Sequence, residues 1–246
     1  MKHLIEKMDS IIRSSRRIVF FGGAGVSMES GIPDFRSQDG LYNQQYQDPP
    51  EEILSHSYFV SRTEDFFRFY RDKMLYPTAR PNDAHRVLAR MERAGMLTAV
   101  ITQNIDGLHQ AAGSKNVIEL HGTTLHNTCM RCGKRYGLSD ILPMDNVPLC
   151  TCGGVIKPDV TLYEEALPDG AMEAASHFVD CADLMIVGGT SLSVYPAAGF
   201  ARWFPGHLVI INKTPTPMDA RADLCIPHPI GRVFAAWEEM HFGPPA

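Results

Sequence analysis

With 246 residues, 44% of them apolar, the chain can bury one large core, either as a single domain or as a domain with insertions. A formal net charge of −5 excludes a basic face spread over the whole molecule. Nucleic acid is therefore a poor partner, and acidic or neutral partners, or basic peptides, fit better. No apolar run approaches the roughly 18 residues that a membrane span needs.

The first predicted element is an amphipathic helix. Leu4, Ile5, Met8, Ile11 and Ile12 recur at helical spacing, with Lys2, Glu6, Lys7 and Asp9 between them. This is not the pattern of a signal peptide, and the expectation is a soluble, cytoplasmic protein. Ile18–Phe21 then reads as a buried strand, and Gly22, Gly23 and Gly25 are expected to turn the chain into a helix. Such a turn lets the backbone approach a pyrophosphate at a helix N-terminus. Met28 stands where the third glycine of a dinucleotide fingerprint belongs, and no acid follows at the usual strand end, which disfavours an ordinary dehydrogenase. An ordinary tight turn is the other reading. The loop runs on into "GIPDFR", where Arg36 is a cation close to the phosphate site and Phe35 offers a flat ring. A surface loop with a buried Phe is the alternative there.

Residues 37–82 break the pattern with a polar loop and then an aromatic helical stretch. A helix over Ala84–Ala94, ended by Gly95, leads to a strand at Leu97–Thr102 and another at Val117–Leu120. Residues 124–158 hold four cysteines and almost no periodic signal. Beyond them come a helix at Asp169–Val179, a strand at Leu184–Val187 and a helix at Ala197–Trp203. Strands at Leu208–Ile211 and Ala222–Ile226 and a helix at Ile230–Phe242 finish the chain, with Pro168, Pro196 and Pro229 opening the later helices. Short strands rich in Val and Ile, alternating with helices, predict an α/β fold with a doubly wound parallel Rossmann-like sheet. The expected organisation is a main domain from residues 1–36, 83–123 and 159–246. A helical insertion (37–82) and a cysteine-bearing insertion (124–158) together make a smaller domain.

Polar residues gather at the predicted strand ends, where open parallel sheets bind ligands. Thr102, Gln103, Asn104 and Asp106 follow one strand, suited to hydrogen-bonding a ribose and an amide. His121 and Gly122 follow the next; a lone histidine is often structural, but one at this edge can take a proton from a hydroxyl. Gly188, Gly189, Thr190 and Ser191 form a second candidate phosphate cradle, and Asn212 can bond a ribose in place of the missing acid.

Cys129-x2-Cys132 and Cys150-x-Cys152 are spaced as two knuckles of a tetrathiolate zinc site. Four thiolates close the coordination sphere, so the zinc would be structural. The tight C-x-C half leaves a redox pair as an alternative. Cys181 and Cys225 read as small buried residues.

The strings "GAGVSMESGIPDFR", "PNDAH", "TQNIDGLH", "IELHG", the four cysteines, "GTSLSVYPAA" and "IINKTPTPMD", in this order, resemble the sirtuins, NAD-dependent protein deacylases. The resemblance covers about residues 10–240 and accounts for the missing third glycine, because in sirtuins the following loop folds over the cofactor. It implies that Ala24, Gly25, Met28, Phe35 and Arg36 line NAD. It also implies that Gln103, Asn104, Ile105 and Asp106 meet the nicotinamide ribose and carboxamide. Asn104 joins His121 as a catalytic residue, His121 being the general base. Thr190, Ser191 and Asn212 would hold the phosphate and adenosine end, and Ile230 would cover the adenine. An acyl-lysine peptide would add as a strand between "DVTLYEE" and "SLSVYPA", with Val160, Leu162, Tyr163 and Val194 against it. The products would be lysine, nicotinamide and O-acyl-ADP-ribose.

This chain departs from the family pattern at Ser37, at Glu164 in place of a glycine, and in the compressed Cys150-x-Cys152 knuckle. Where desuccinylating relatives carry Tyr-x-x-Arg, it has Phe67 and Tyr70, which favours neutral acyl groups. Relatives that ADP-ribosylate proteins are the rival reading, and some of them lack the histidine that is present here. A non-catalytic NAD-sensing module is a third.

Overall fold

The computed structural model describes residues 1–35, 40 and 48–243. Helix α1 (Lys2–Ser14) buries Ile5, Met8 and Ile12, the stripe its spacing predicts. Strand β1 (Ile18–Gly22) is buried at every position. Three helices follow: α2 (Pro50–Ile53), α3 (His56–Ser61) and α4 (Thr63–Lys73). Helix α5 (Asp83–Arg93), strand β2 (Leu97–Thr102), helix α6 (Leu108–Ala111) and strand β3 (Val117–Glu119) come next. The cysteine-bearing stretch contains β4 (Gly122–Cys129), β5 (Arg135–Gly137), α7 (Leu138–Ile141) and β6 (Ile156–Val160). The chain ends with α8 (Asp169–Cys181), β7 (Leu184–Gly188), α9 (Gly199–Trp203), β8 (His207–Ile211), β9 (Leu224–Ile226) and α10 (Ile230–Phe242).

All six predicted strands pair in parallel, in the order β3-β2-β1-β7-β8-β9. Chain order reverses between β1 and β7, the place where doubly wound sheets open a ligand crevice beyond their carboxyl ends. Both faces of the sheet are covered. Ile18 and Phe20 point into a core with α1, α5 and α10, while Val19 and Phe21 point into one with α8 and α9. That two-sided burial is why the strands read as unbroken apolar runs. Asn82 ties this frame to the glycine loop. Its side chain accepts the Ala84 N–H that opens α5 and donates to the Val26 carbonyl at 2.7 Å.

Three expectations need correction. The glycine loop does not enter an α-helix but makes two short 3-10 turns, Ala24–Val26 and Met28–Ser30. Left-handed Gly31 and then Pro33 stop any helix from propagating. The cysteine-bearing stretch is not structureless: β5, β4 and β6 form an antiparallel sheet. β4 slips register between Gly122 and Asn127 and its burial does not alternate, and β5 has only three residues, so they left little periodicity to read. Pro158 sits in β6, an edge strand, where a missing N–H costs no ladder bond. Lastly, α9 and β9 each begin two residues later than predicted.

A third core joins the helical stretch to the cysteine-bearing one. Phe59, Phe66, Phe67 and Tyr70 pack with Val160 and Leu162, and Leu138, Val147 and Val155 lie against them. Phe59 meets Phe66 edge-on, with ring centroids 5.0 Å apart. Among the described residues no helix is long and apolar enough to cross a membrane.

Candidate active site

One cleft of about 1340 Å³ opens at the crossover of the sheet. It is larger than a pocket for one small ligand and has room for a dinucleotide beside a peptide. It is lined by Ala24, Gly25, Met28, Phe35, Gln103, Asn104, Ile105, Asp106, His121, Val160, Leu162, Tyr163, Thr190, Ser191, Val194, Asn212 and Ile230. Every predicted cofactor, catalytic and substrate residue is thus brought together, except Arg36, which lies outside the described residues.

The glycines serve a close approach between two loops. The Gly25 N–H donates to the Gly189 carbonyl at 2.8 Å. A Cβ on Gly25 would stand 2.7 Å from the Gly189 Cα, and Gly189 itself has φ +58°. The loops after β1 and β7 therefore interlock at the backbone and form the floor of the cleft. The N-terminus of α10 is already neutralised there, because Glu29 accepts the Gly231 N–H at 2.6 Å.

A hydrogen-bonded chain holds the polar strand ends. Gln103 Nε2 donates to Thr190 Oγ1 at 3.1 Å, joining the ends of β2 and β7. Asn104 Nδ2 donates to Ser27 Oγ at 3.1 Å, and Ser27 donates to Asp106 Oδ2 at 2.6 Å. The other Asp106 oxygen accepts the Leu108 N–H at 2.9 Å. Burial pushes the Asp106 carboxyl up, while the bonds from Ser27 and Leu108 pull it down. Asn212 donates its amide to the Thr214 carbonyl at 2.8 Å, leaving its carbonyl oxygen as the acceptor for a hydroxyl.

His121 Nδ1 lies 3.0 Å from the Gln103 carbonyl oxygen. A carbonyl can only accept, so Nδ1 carries the proton and Nε2 keeps its lone pair. Burial lowers the imidazole pKa, and the Gln103 carbonyl opposes the shift. The ring is therefore neutral and basic at physiological pH. Gly122 makes the placement possible: it has φ +72°, and a Cβ there would stand 2.0 Å from the Asp159 carbonyl oxygen. The His121 carbonyl accepts the Thr161 N–H at 2.9 Å, so β6 packs directly beneath the catalytic candidate.

The wall formed by residues 160–165 is fixed from two sides. Tyr163 N–H donates to Leu54 O at 3.0 Å, and Tyr163 O accepts from His56 N–H at 2.9 Å. The Glu165 N–H bonds back to the Leu162 carbonyl, which closes a turn with Glu164 at φ +74°. That position suits glycine. Here the Glu164 carboxylate accepts from the Ser57 N–H at 2.9 Å and from its hydroxyl, anchoring the turn to α3.

The four predicted metal cysteines converge outside the cleft. The Sγ atoms of Cys129, Cys132, Cys150 and Cys152 lie within 4.8 Å of one another. Cys129 and Cys152 are 3.5 Å apart and Cys132 and Cys150 3.6 Å. Zinc bound tetrahedrally to four sulfurs sets them about 3.8 Å apart, so the group fits the ion. Cys225 is half-buried, but Cys181 is exposed, contrary to expectation, at the solvent-facing end of α8.

The Sir2 family model matches residues 23–196, which hold most of the cleft and all four metal cysteines. The chain belongs to the Sir2 family. An NAD-dependent protein deacetylase of Clostridium perfringens is 53% identical, over 95% of this chain and 98% of its own. One of Clostridium acetobutylicum is also 53% identical, over 93% and 96%. A solved Sir2 bound to an acetylated peptide superposes with a TM-score of 0.86 at 37% identity, covering 98% of this chain and 99% of its own. A Sir2 solved with a peptide and NAD+ gives 0.86 at 40%, covering 96% and 98%.

Within this Sir2 member, sequence reading missed Ser27 and Glu29. Both stand in the quoted glycine stretch, but their partners, Asn104, Asp106 and Gly231, are far along the chain. Only the folded sheet edge brings them into reach.

Proposed function

We propose that the chain is an NAD-dependent protein-lysine deacetylase, converting acyl-lysine and NAD to lysine, nicotinamide and O-acyl-ADP-ribose. The observation that carries this reading is the His121 ring, held by the Gln103 carbonyl with Nε2 left unprotonated in the cleft. Bound NAD supplies a ribose carbon that nicotinamide can leave and hydroxyls that can accept the acyl group. Ala24, Gly25, Met28 and Phe35 form its wall, Arg36 being the next residue in sequence, and Thr190, Ser191, Asn212 and Ile230 its adenosine side. Gln103, Asn104, Ile105 and Asp106 orient the nicotinamide end, and the Asn104–Ser27–Asp106 chain keeps the Asn104 amide in one rotamer. His121 Nε2 takes the proton from a ribose hydroxyl. Val160, Leu162, Tyr163 and Val194 hold the acyl-lysine segment and exclude water from it.

Neutral acyl groups suit the cleft, because Phe67 and Tyr70 are both buried and bring no guanidinium to it. The Cys129, Cys132, Cys150 and Cys152 set holds zinc as a structural clamp. Residues 37–82 and 124–158 make the smaller domain, and the protein works in the cytoplasm. Mass spectrometry of a reaction with NAD and a panel of acyl-lysine peptides tests the function. Acylated ADP-ribose is the expected product; ADP-ribose fixed on protein without deacylation would replace this reading with a transferase.

A further inference from the structure

Beside the cleft, on α9 and the turn that precedes it, lies a solvent-exposed cluster that the reaction does not use. Tyr195 lines the cleft next to Val194, yet 58% of it remains exposed. Its hydroxyl accepts from Arg202 Nη1 at 3.2 Å. The Arg202 guanidinium sits 5.3 Å from the centre of the Trp203 ring. Trp203 is 76% exposed, the highest value among the exposed large apolar residues described. A second cation, Arg221, bonds the Ala201 carbonyl on the same helix. Among the described residues neither Arg202 nor Arg221 forms an ion pair with a carboxylate.

An exposed Trp costs solubility, and a guanidinium stacked beside it with no acidic partner is a ready receptor for a carboxylate next to an apolar side chain. The cluster is continuous with the cleft wall through the Tyr195–Arg202 bond. We propose that Tyr195, Arg202 and Trp203 form a second recognition surface for the protein substrate. It takes an acidic segment flanking the acyl-lysine as that segment leaves the cleft past Val194. The proposal rests on the deacetylase reading of the cleft and adds a sequence preference to it.

The test compares two acetyl-lysine peptides of equal length, one with Asp and Glu flanking the lysine and one with Ala at those positions, alongside a short acetyl-lysine tripeptide. Wild-type enzyme is set against Arg202→Ala and Trp203→Ala. Both residues are exposed, and unchanged melting curves establish that the variants fold. The expected result is a KM for the acidic peptide raised about three- to tenfold at unchanged kcat, with the tripeptide unaffected. Equal KM values for the acidic and alanine peptides in wild type, or equal shifts for all three substrates in the variants, would overturn the proposal. Tryptophan fluorescence gives an independent readout, because the other tryptophan, Trp237, is fully buried. The acidic peptide should shield Trp203 from iodide quenching, and unchanged quenching counts against the proposal. No turnover of any acetyl peptide by wild type would sink the deacetylase reading, and this proposal with it.

Discussion

His121 points its protonated nitrogen at the backbone carbonyl of Gln103, 3.0 Å away, and its bare nitrogen into the cleft. Because a backbone carbonyl sets the tautomer, it does not depend on the identity of a neighbouring side chain. His121→Ala should lower kcat by roughly 10²- to 10⁴-fold, the usual worth of a positioned general base, with NAD still bound. Burial lowers the ring's pKa, so the active, unprotonated form persists below the ordinary histidine value of about 6.5. The acidic limb of the kcat/KM profile should fall below that value; a limb at or above it would remove His121 from the role of base.

Two other histidines contribute to the acid stability. The His85 and His109 rings pack 4.7 Å apart in the core, and neither nitrogen of His109 has a protein partner among the described residues. Burial pulls His85 down to about 4 and His109 well below its ordinary value. Both are neutral when folded and charge readily when unfolded, so acid favours the unfolded chain. Their contribution is complete above pH of about 6.5 and falls as pH drops, by about 1.4 kcal/mol per pH unit for each histidine. For His85 the loss continues down to about pH 4. Urea unfolding at pH 7 and pH 5 measures the slope, and His109→Phe should make it shallower.

The zinc clamp has a supporting hydroxyl. Tyr136 donates to Cys150 Sγ at 3.0 Å, which helps keep that sulfur a thiolate and orients it. Tyr136→Phe should speed loss of zinc to a chelator by about 10- to 100-fold. A colorimetric zinc assay on native enzyme follows the release. Unchanged release would show the bond to be incidental.

Gly122→Ala should be costly. The left-handed backbone and the 2.0 Å approach to the Asp159 oxygen leave no place for a methyl group. A loss of about 2 kcal/mol or more is expected in denaturant unfolding. Displacement of His121 should lower kcat at the same time.

Glu164 separates two effects at one position. Glu164→Ala keeps the φ of +74° but loses the bonds to Ser57, so the melting temperature should drop. Glu164→Gly loses the same bonds but relieves the backbone, so it should melt above the alanine variant. If alanine melts higher, backbone strain at Glu164 is not what the turn is storing.

The strands, the helix faces and the zinc cysteines were legible along the chain because each depends on local periodicity or spacing. Ile18–Phe21 and Leu184–Val187 read as doubly covered strands without reference to any neighbour. The four cysteines announced their ion by number and spacing, and the motif strings carried the family. The antiparallel sheet around those cysteines was not legible, because β4 does not alternate in burial, its register slips, and it is held by cross-strand backbone bonds. Nor was the loss of the helix after the glycine loop.

By itself, then, the sequence determined which residues are apolar enough to be buried and which polar groups collect at strand ends. Tertiary structure alone decided which of these meet: Ser27 with Asn104 and Asp106, Glu29 with α10, Gly25 with Gly189, and His121 with the carbonyl that sets its tautomer. Hydrogen bonds and backbone contacts reach only a few ångströms, so partners separated by up to some 200 positions leave no local pattern until the sheet closes around them.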